Sequence, residues 1–480
     1  MTSVSLPSNS RDTDNVVDPR VEITTRAVDW DALSALACTL HGVTLAHWGN
    51  QLCGGYNLVR YLHLDDQNKT IIIARVPLQP VDGWDPELSR TISSQIASEV
   101  ATMEYIKAHT NIPVPHIIHY SAEFKDPGVR SPYILMSKVN GVPLSSLWNT
   151  MEDQLRDVVL QQVVDIILEL ASQRFDMIGV LLRCDGIGKN AWYIEPMAGE
   201  SIDDSAALRA VSTTTHTNAI EYWTNFMNSN LRDISDNNFG VTGKEFSYSQ
   251  AWFMRSLVPS LYDTSLDAIG FPLLHGDFHS QNIMVTDVES NPQVTAVIDW
   301  EFSATVATST FAQYPLFIVD HPLWDDNHPL RPRNIRDQAS FDKFMHEAEL
   351  KRNPDGGQLL SRAFANSLAV YSFEQALSNP VLHAKLFDQL FGLVYGDDED
   401  NFSVYYYRAL MRKGVLRKET QRFENETAVW REASDTLPEL NISRDLSKSA
   451  FKTLMLEYHD QFTVGGKVRE WLAAESGSTL

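Results

Sequence analysis

Asp277 and Asn282 stand five positions apart in the run LLHGDFHSQNIMV (273–285), and Asp299 follows the apolar strand of VTAVIDWEF (294–302). A stretch that only built a core would be apolar at these positions. A chain that turns back on itself between the two runs can bring the three oxygen-bearing side chains to one end of paired strands. Hard oxygen ligands are what Mg²⁺ takes, usually one or two carboxylates together with phosphate and water. A further carboxylate beside a hydroxyl can take its proton as that oxygen attacks phosphorus. One aspartate would then be the base, while Asn282 and Asp299 would hold the metal.

Other readings of the same residues stand beside this one. Asp277 could cap a helix or turn. His279 could be a ligand or a brace for the loop, and the brace is favoured because metal-bound histidines come in clusters. Glu301 divides evenly between a surface acid and a substrate contact. A hydrolytic metal site built from His275, Asp277, His279 and Asp299 is a third reading, but it leaves Asn282 without a task.

The elements that must position these residues follow from hydrophobic period. DALSALACTL (31–40) is helical in character, YNLVRYLHL (56–64) alternates like a half-buried strand, and KTIIIARVPL (69–78) is a β-branched run closed by Pro77. Ile96, Val100, Met103 and Ile106 lie at helical spacing. IPVPHIIHYS and SPYILMSKV return to strand character, each entered through proline. The order strand, strand, helix, strand, strand describes a small antiparallel α+β lobe over residues 21–138. VNGVPL (139–144) reads as a hinge, and a mainly helical lobe is expected over 139–480, with a buried helix at 152–175 and mainly helical stretches at 216–230, 245–264, 335–376, 400–413 and 446–474. The acidic run GDDED at 396–400 reads as a solvated loop.

The 480 residues carry 39 basic and 62 acidic side chains, a formal charge of -23, which disfavours nucleic acid and anionic membrane as partners. Three cysteines without a CxxC pair suit a reduced compartment. The polar first twenty residues lack the features of a targeting peptide, and no long apolar run follows. A cytoplasmic protein with a disordered tail over residues 1–20 is expected.

HGDFHSQN followed by VIDWE resembles the catalytic loop and metal segment of the aminoglycoside phosphotransferase and choline kinase-like family, whose pattern is H-G-D-x-x-x-x-N and then I-D-W or I-D-F. RFDMIGVLL (174–182) and YPLFIVDHPLW (314–324) are similar to segments of a fungal branch of that family. The resemblance implies a protein-kinase-like two-lobed α+β fold, ATP and Mg²⁺ as cofactors, and phosphoryl transfer to a hydroxyl of a small molecule. It implies Asp277 as catalytic base, Asn282 and Asp299 as metal ligands, and His275 as a scaffold for the loop. It also places Gly54 and Gly55 over the ATP phosphates, Arg75 on the strand that touches them, Glu99 as the partner of Arg75, and Met136 in the YILMSKVNGVPL segment that holds adenine. Glu104 competes with Glu99, since both lie on one helix. Two departures accompany it: the glycines are paired rather than spaced as G-x-G-x-x-G, and Arg75 stands where lysine is commoner. They motivate an alternative, a catalytically weak nucleotide-binding module. Gly276 occupies the place of the arginine that reads activation-loop phosphorylation in protein kinases, so constitutive activity is expected. The acidic chain would suit a cationic acceptor.

Overall fold

The structure, a computed structural model, describes residues 18–124, 128–184, 191–196, 216–236, 244–320, 324, 327–354, 356–365 and 367–378, with isolated positions 386, 390, 418 and 421. The expected acidic loop at 396–400 and the helices at 400–413 and 446–474 lie outside the described residues.

Two helices, α1 (Pro19–Ala27) and α2 (Trp30–His41), open the chain. Asp18 caps the first by accepting from the Arg20 amide, and Pro19 begins it, so residues 19 and 20, expected as tail, are helix, while residues 1–17 of the expected tail lie outside the described residues. Gly42 closes α2 in the left-handed conformation at φ 65°.

A five-stranded antiparallel sheet follows in the order β1-β2-β3-β5-β4, from β1 (Ala46–Cys53), β2 (Asn57–Leu64), β3 (Ile71–Pro77), β4 (Ile117–Ser121) and β5 (Tyr133–Ser137). The sequence reading had four of these strands. It missed β1, which is half-buried or exposed throughout and so shows no hydrophobic alternation. Helix α3 (Pro86–His109), capped by Asp85, runs between β3 and β4.

Period-2 alternation sorts the strands onto two faces. Leu58, Leu62, Ile72, Ala74, Val76, Tyr133 and Leu135 pack with Leu33 and Ala37 of α2. Ile134 and Met136 pack with Ile92, Ile96 and Val100 of α3.

Beyond the sheet, α4 (Asp153–Ser172) is buried nearly all round, through Val159, Leu160, Val163, Val164, Ile167 and Leu170. Its cluster includes Met103 and Ile106 of α3, so the far half of α3 belongs to the larger core. Short strands build the rest. β6 (Val142–Pro143), β11 (Ile283–Thr286) and β12 (Gln293–Val297) form one sheet. β7 (Arg174–Phe175), β10 (Phe271–Leu274) and β13 (Ala304–Thr305) form another, while β8 (Val180–Cys184) and β9 (Ala191–Glu195) make a hairpin. The segment expected as a hinge is thus partly strand, paired through Val142 with Val285.

The remaining helices are α5 (Ala219–Asp236), α6 (Lys244–Leu261), α7 (Thr308–Phe311), α8 (Arg331–Arg352), α9 (Leu359–Ala365) and α10 (Ser367–Ser378). The stretch 335–376, expected to be mainly helical, holds most of α8, α9 and α10. Asn353 ends the first, and Pro354, Gly356 and Gly357 in the connection favour turn over helix. Asp337 of α8 is fully buried and bonded to Arg156 of α4 at 3.2 Å.

By compactness the chain falls into a unit of residues 1–222 and 262–371 and a unit of residues 223–261 and 372–480. The first holds the sheet and both motif runs. In the second, the Trp223 ring meets Phe226 at 5.4 Å and Phe373 at 5.7 Å. The architecture of the first unit is α+β, with a small antiparallel-sheet lobe and a larger, mainly helical lobe.

Candidate active site

Alternation along β3 decides where Arg75 points. Ile72, Ala74 and Val76 face α2, so Arg75 faces α3. Its Nη1 bonds Glu99 Oε1 at 2.5 Å and Asp299 Oδ1 at 3.2 Å, and its Nη2 bonds Glu301 Oε2 at 2.5 Å. Periodicity alone left Glu99 and Glu104 in competition. The structure separates them: Glu99 takes Arg75, and Glu104 pairs with Arg183 on β8.

The loop 275–282 joins β10 to β11 and is fixed from within. His275 is buried, its Nε2 bonding the Ile298 carbonyl at 3.0 Å and its Nδ1 accepting the Asp277 amide at 3.3 Å. That pattern sets the Nε2–H tautomer. Burial lowers the His275 pKa to about 4, so the ring is neutral at ordinary pH. Asn282 donates its amide to the Asp277 carbonyl and to Asp277 Oδ2, each at 3.0 Å. His279 Nε2 lies 3.1 Å from the same Oδ2.

Gly276 has φ 82°, and a Cβ there would stand 2.0 Å from the Phe302 carbonyl oxygen. The glycine is a steric requirement of the loop against the Asp299 segment.

Backbone pairing brings the two runs together. β11 pairs with β12, Ile283 opposite Val297, and the Ile298 amide donates to the Asn282 carbonyl at 2.9 Å. Asp299 is the next residue and turns sharply at φ 65°, a left-handed conformation uncommon outside glycine. Trp300 behind it is fully buried, its indole N–H bonded to the Val297 carbonyl at 3.0 Å and its ring 4.4 Å from that of His275. Ser303 donates to the His275 carbonyl at 3.2 Å. The β10–β11 loop and the end of β12 bring Asp277, Asn282 and Asp299 to one end of the β11–β12 pair, and Arg75 of β3 links Asp299 to Glu99 of α3.

One guanidinium facing three carboxylates leaves an excess of negative charge. Burial alone would lower the Arg75 pKa, but Glu99, Glu301 and Asp299 outweigh it and hold the group cationic. Burial, with Glu301 and Asp299 adding to it, pushes Glu99 up to about 8 against the pull of Arg75. Burial likewise raises Glu301, opposed by Arg75 and reinforced by Asp299.

Gly54 and Gly55 lie in the connection from β1 to β2. A Cβ on the first would meet only the Asn57 carbonyl, at 3.7 Å, and on the second nothing within 4 Å, so the fold itself does not demand glycine there. Met136 is 9% exposed in the α3 cluster, a core position rather than an open one.

The hydrolytic reading fails on the donors. Both nitrogens of His275 are engaged with backbone, and no group of three or more His, Cys, Asp and Glu is placed to hold a metal among the described residues. The Asn282 and Asp299 pair does fit Mg²⁺, since Asn282 has its amide nitrogen committed to Asp277 and keeps its carbonyl oxygen as a donor.

Three contributors were missed or left open by the sequence. Asn57, just beyond the glycines, donates to Glu301 Oε2 at 2.8 Å, and Tyr56 meets Phe302 ring to ring at 5.9 Å. Glu301 is 14% exposed at its side chain and no surface acid. Its place two residues after Asp299, inside the same motif, was the available signal.

Residues 85–305 match the model of the phosphotransferase enzyme family. Among curated proteins, a subtelomeric hrmA-associated cluster protein of Aspergillus fumigatus is 37% identical over 124 residues, 26% of this chain and 21% of that one. Clavilactone A biosynthesis cluster protein Y of Ampulloclitocybe clavipes is 28% identical over 287 residues, 57% of this chain and 64% of that one. The chain thus spans about a fifth of the first relative and under two thirds of the second. Altered inheritance of mitochondria protein 9 of Zygosaccharomyces rouxii is 30% identical over 130 residues, 25% of this chain and 20% of that one. The solved streptomycin–ATP complex of APH(2")-IIa aligns at TM-score 0.43 and 11% identity, over 76% of this chain and 96% of that one. Residues 85–305, which hold Glu99, the Asp277 loop and the Asp299 segment, are thus the part of this chain that is similar to the phosphotransferase enzyme family.

Proposed function

We propose that the chain transfers the γ-phosphoryl group of ATP to a hydroxyl of a small molecule, with Asp277 as the base. The observation that carries this reading is the joint placement of Asp277, Asn282 and Asp299 by the β11–β12 pairing, with Arg75 bonded to both Glu99 and Asp299. Asn282 and His279 both hold Asp277 at Oδ2, and the carboxylate fixed in this way is the base that takes the proton of an incoming hydroxyl. His275, neutral and bonded at both nitrogens to backbone, keeps the loop in register and takes no part in proton transfer. Asn282 and Asp299 would hold Mg²⁺, which when bound supplies charge neutralisation for phosphate. Arg75 adds a fixed positive charge beside that pair.

The acceptor is proposed to be cationic, in keeping with the formal charge of -23. A cytoplasmic location fits free Cys38, Cys53 and Cys184; no described helix is long and apolar enough to cross a membrane.

One observation favours a second reading, a nucleotide-binding module with little turnover: the Arg75 fork is already occupied by three carboxylates. Incubation with γ-labelled ATP, Mg²⁺ and a panel of amino and hydroxy compounds separates the two. Label appearing on one compound class supports transfer. Saturable ATP binding with no labelled product across cationic and neutral alcohols would favour the module.

A further inference from the structure

Arg75 meets three carboxylates where one would hold it. Glu99 alone, at 2.5 Å from Nη1 and 1% exposed at its side chain, is enough to orient the guanidinium. Glu301 takes the other prong, Nη2, at 2.5 Å, and with the same oxygen accepts from Asn57 at 2.8 Å. Asn57 begins the strand that leaves the Gly54–Gly55 turn, and Glu301 follows Asp299 by two residues. One carboxylate oxygen therefore ties the basic strand β3, the start of β2 and the metal segment into a single clasp. A second tie, the Tyr56 ring against Phe302, runs alongside it.

Resting on the phosphotransfer reading, we propose that Glu301 is a positioning residue that occupies the outer prong of Arg75 and must yield it when nucleotide phosphate enters. A phosphate oxygen and a carboxylate oxygen compete for the same N–H donors, and each repels the other. Nucleotide without Mg²⁺ brings only negative charge to a site already carrying three acids on one cation, so Glu301 disfavours it. With Mg²⁺ held by Asn282 and Asp299, its charge would offset that of the phosphate, and a phosphate oxygen would then take Nη2 from Glu301. Glu301 in this way makes entry selective for the metal complex.

The test is the dissociation constant of ATP, measured by titration calorimetry on the full chain with Mg²⁺ and again with EDTA, for wild type, Glu301→Gln and Glu301→Asp. Glutamine keeps the shape and loses the charge. Its affinity for metal-free ATP should rise by roughly tenfold, the size of one charge-assisted hydrogen bond, while the affinity for Mg–ATP changes less. Glu301→Asp should restore weak metal-free binding. An unchanged ratio of the two constants in Glu301→Gln would overturn the inference and leave the phosphotransfer reading intact. So would a loss of Mg–ATP binding with metal-free binding unchanged, which would make Glu301 a contact of the metal. Equal loss under both conditions in both variants, with a lowered melting temperature, would make Glu301 merely structural and overturn it too. Failure of the wild type to bind Mg–ATP would instead remove the reading beneath it.

Discussion

At Arg75 the stakes are set by burial. Among the described residues the guanidinium is the one cation bonded to Glu99, Glu301 and Asp299, so its removal leaves buried acid without compensation, whereas Glu99→Gln leaves Arg75 two other partners. Arg75→Met should therefore cost about 3 kcal/mol or more in urea unfolding, and Glu99→Gln clearly less; equal losses would mean that Arg75 is not the hub. His275 gives a prediction with a sign. Its folded pKa of about 4 lies below the unfolded value of 6.5, so the unfolded chain binds more protons between the two. Its contribution is fully present above about pH 6.5 and is lost as pH falls toward 4, by roughly 3 kcal/mol. Unfolding free energies at several pH values should show that component in wild type and lack it in His275→Gln. Persistence of the full slope in the variant would place its source elsewhere.

At the scale of elements, the site depends on loops that glycine and one strained aspartate make possible. Gly276→Ala adds a Cβ 2.0 Å from the Phe302 carbonyl at a φ of 82°, so the loop and the Asp299 segment must part. A loss of roughly 2 kcal/mol or more is expected, seen as a lowered melting temperature, along with weaker Mg–ATP binding; a melting temperature equal to wild type would refute the steric account. The same elements show what could be read beforehand. β3, α3 and α4 carry strong period or long apolar runs, and the loop and Asp299 segment carry fixed polar positions in apolar surroundings. β1 and β6 left no such trace, because their residues are mostly exposed and they exist through pairing with β2 and β11. Asn57 was illegible for a related reason: its partner Glu301 is 244 residues away, and only the closed register of β2 on β3 brings it there. The Glu99 and Glu104 choice was undecidable from helical period, since Arg183 lies on a strand with no motif.

For the whole molecule, a formal charge of -23 makes association with a cationic acceptor sensitive to salt. KM for a cationic acceptor should rise several-fold between low and physiological ionic strength, and KM for a neutral one should not; parallel behaviour would assign the acidity to solubility alone. The division into two compact units leaves every residue proposed to act within the first, residues 1–222 and 262–371. The most direct test of the central claim is Mg²⁺-dependent ATP turnover by wild type and Asp277→Asn, with ATP affinity measured on the same preparations. A fall in turnover of about 10²- to 10⁴-fold at nearly unchanged affinity is predicted, the range for loss of a positioned base. Turnover by Asp277→Asn equal to that of wild type would contradict the assignment of Asp277 and the phosphotransfer account with it.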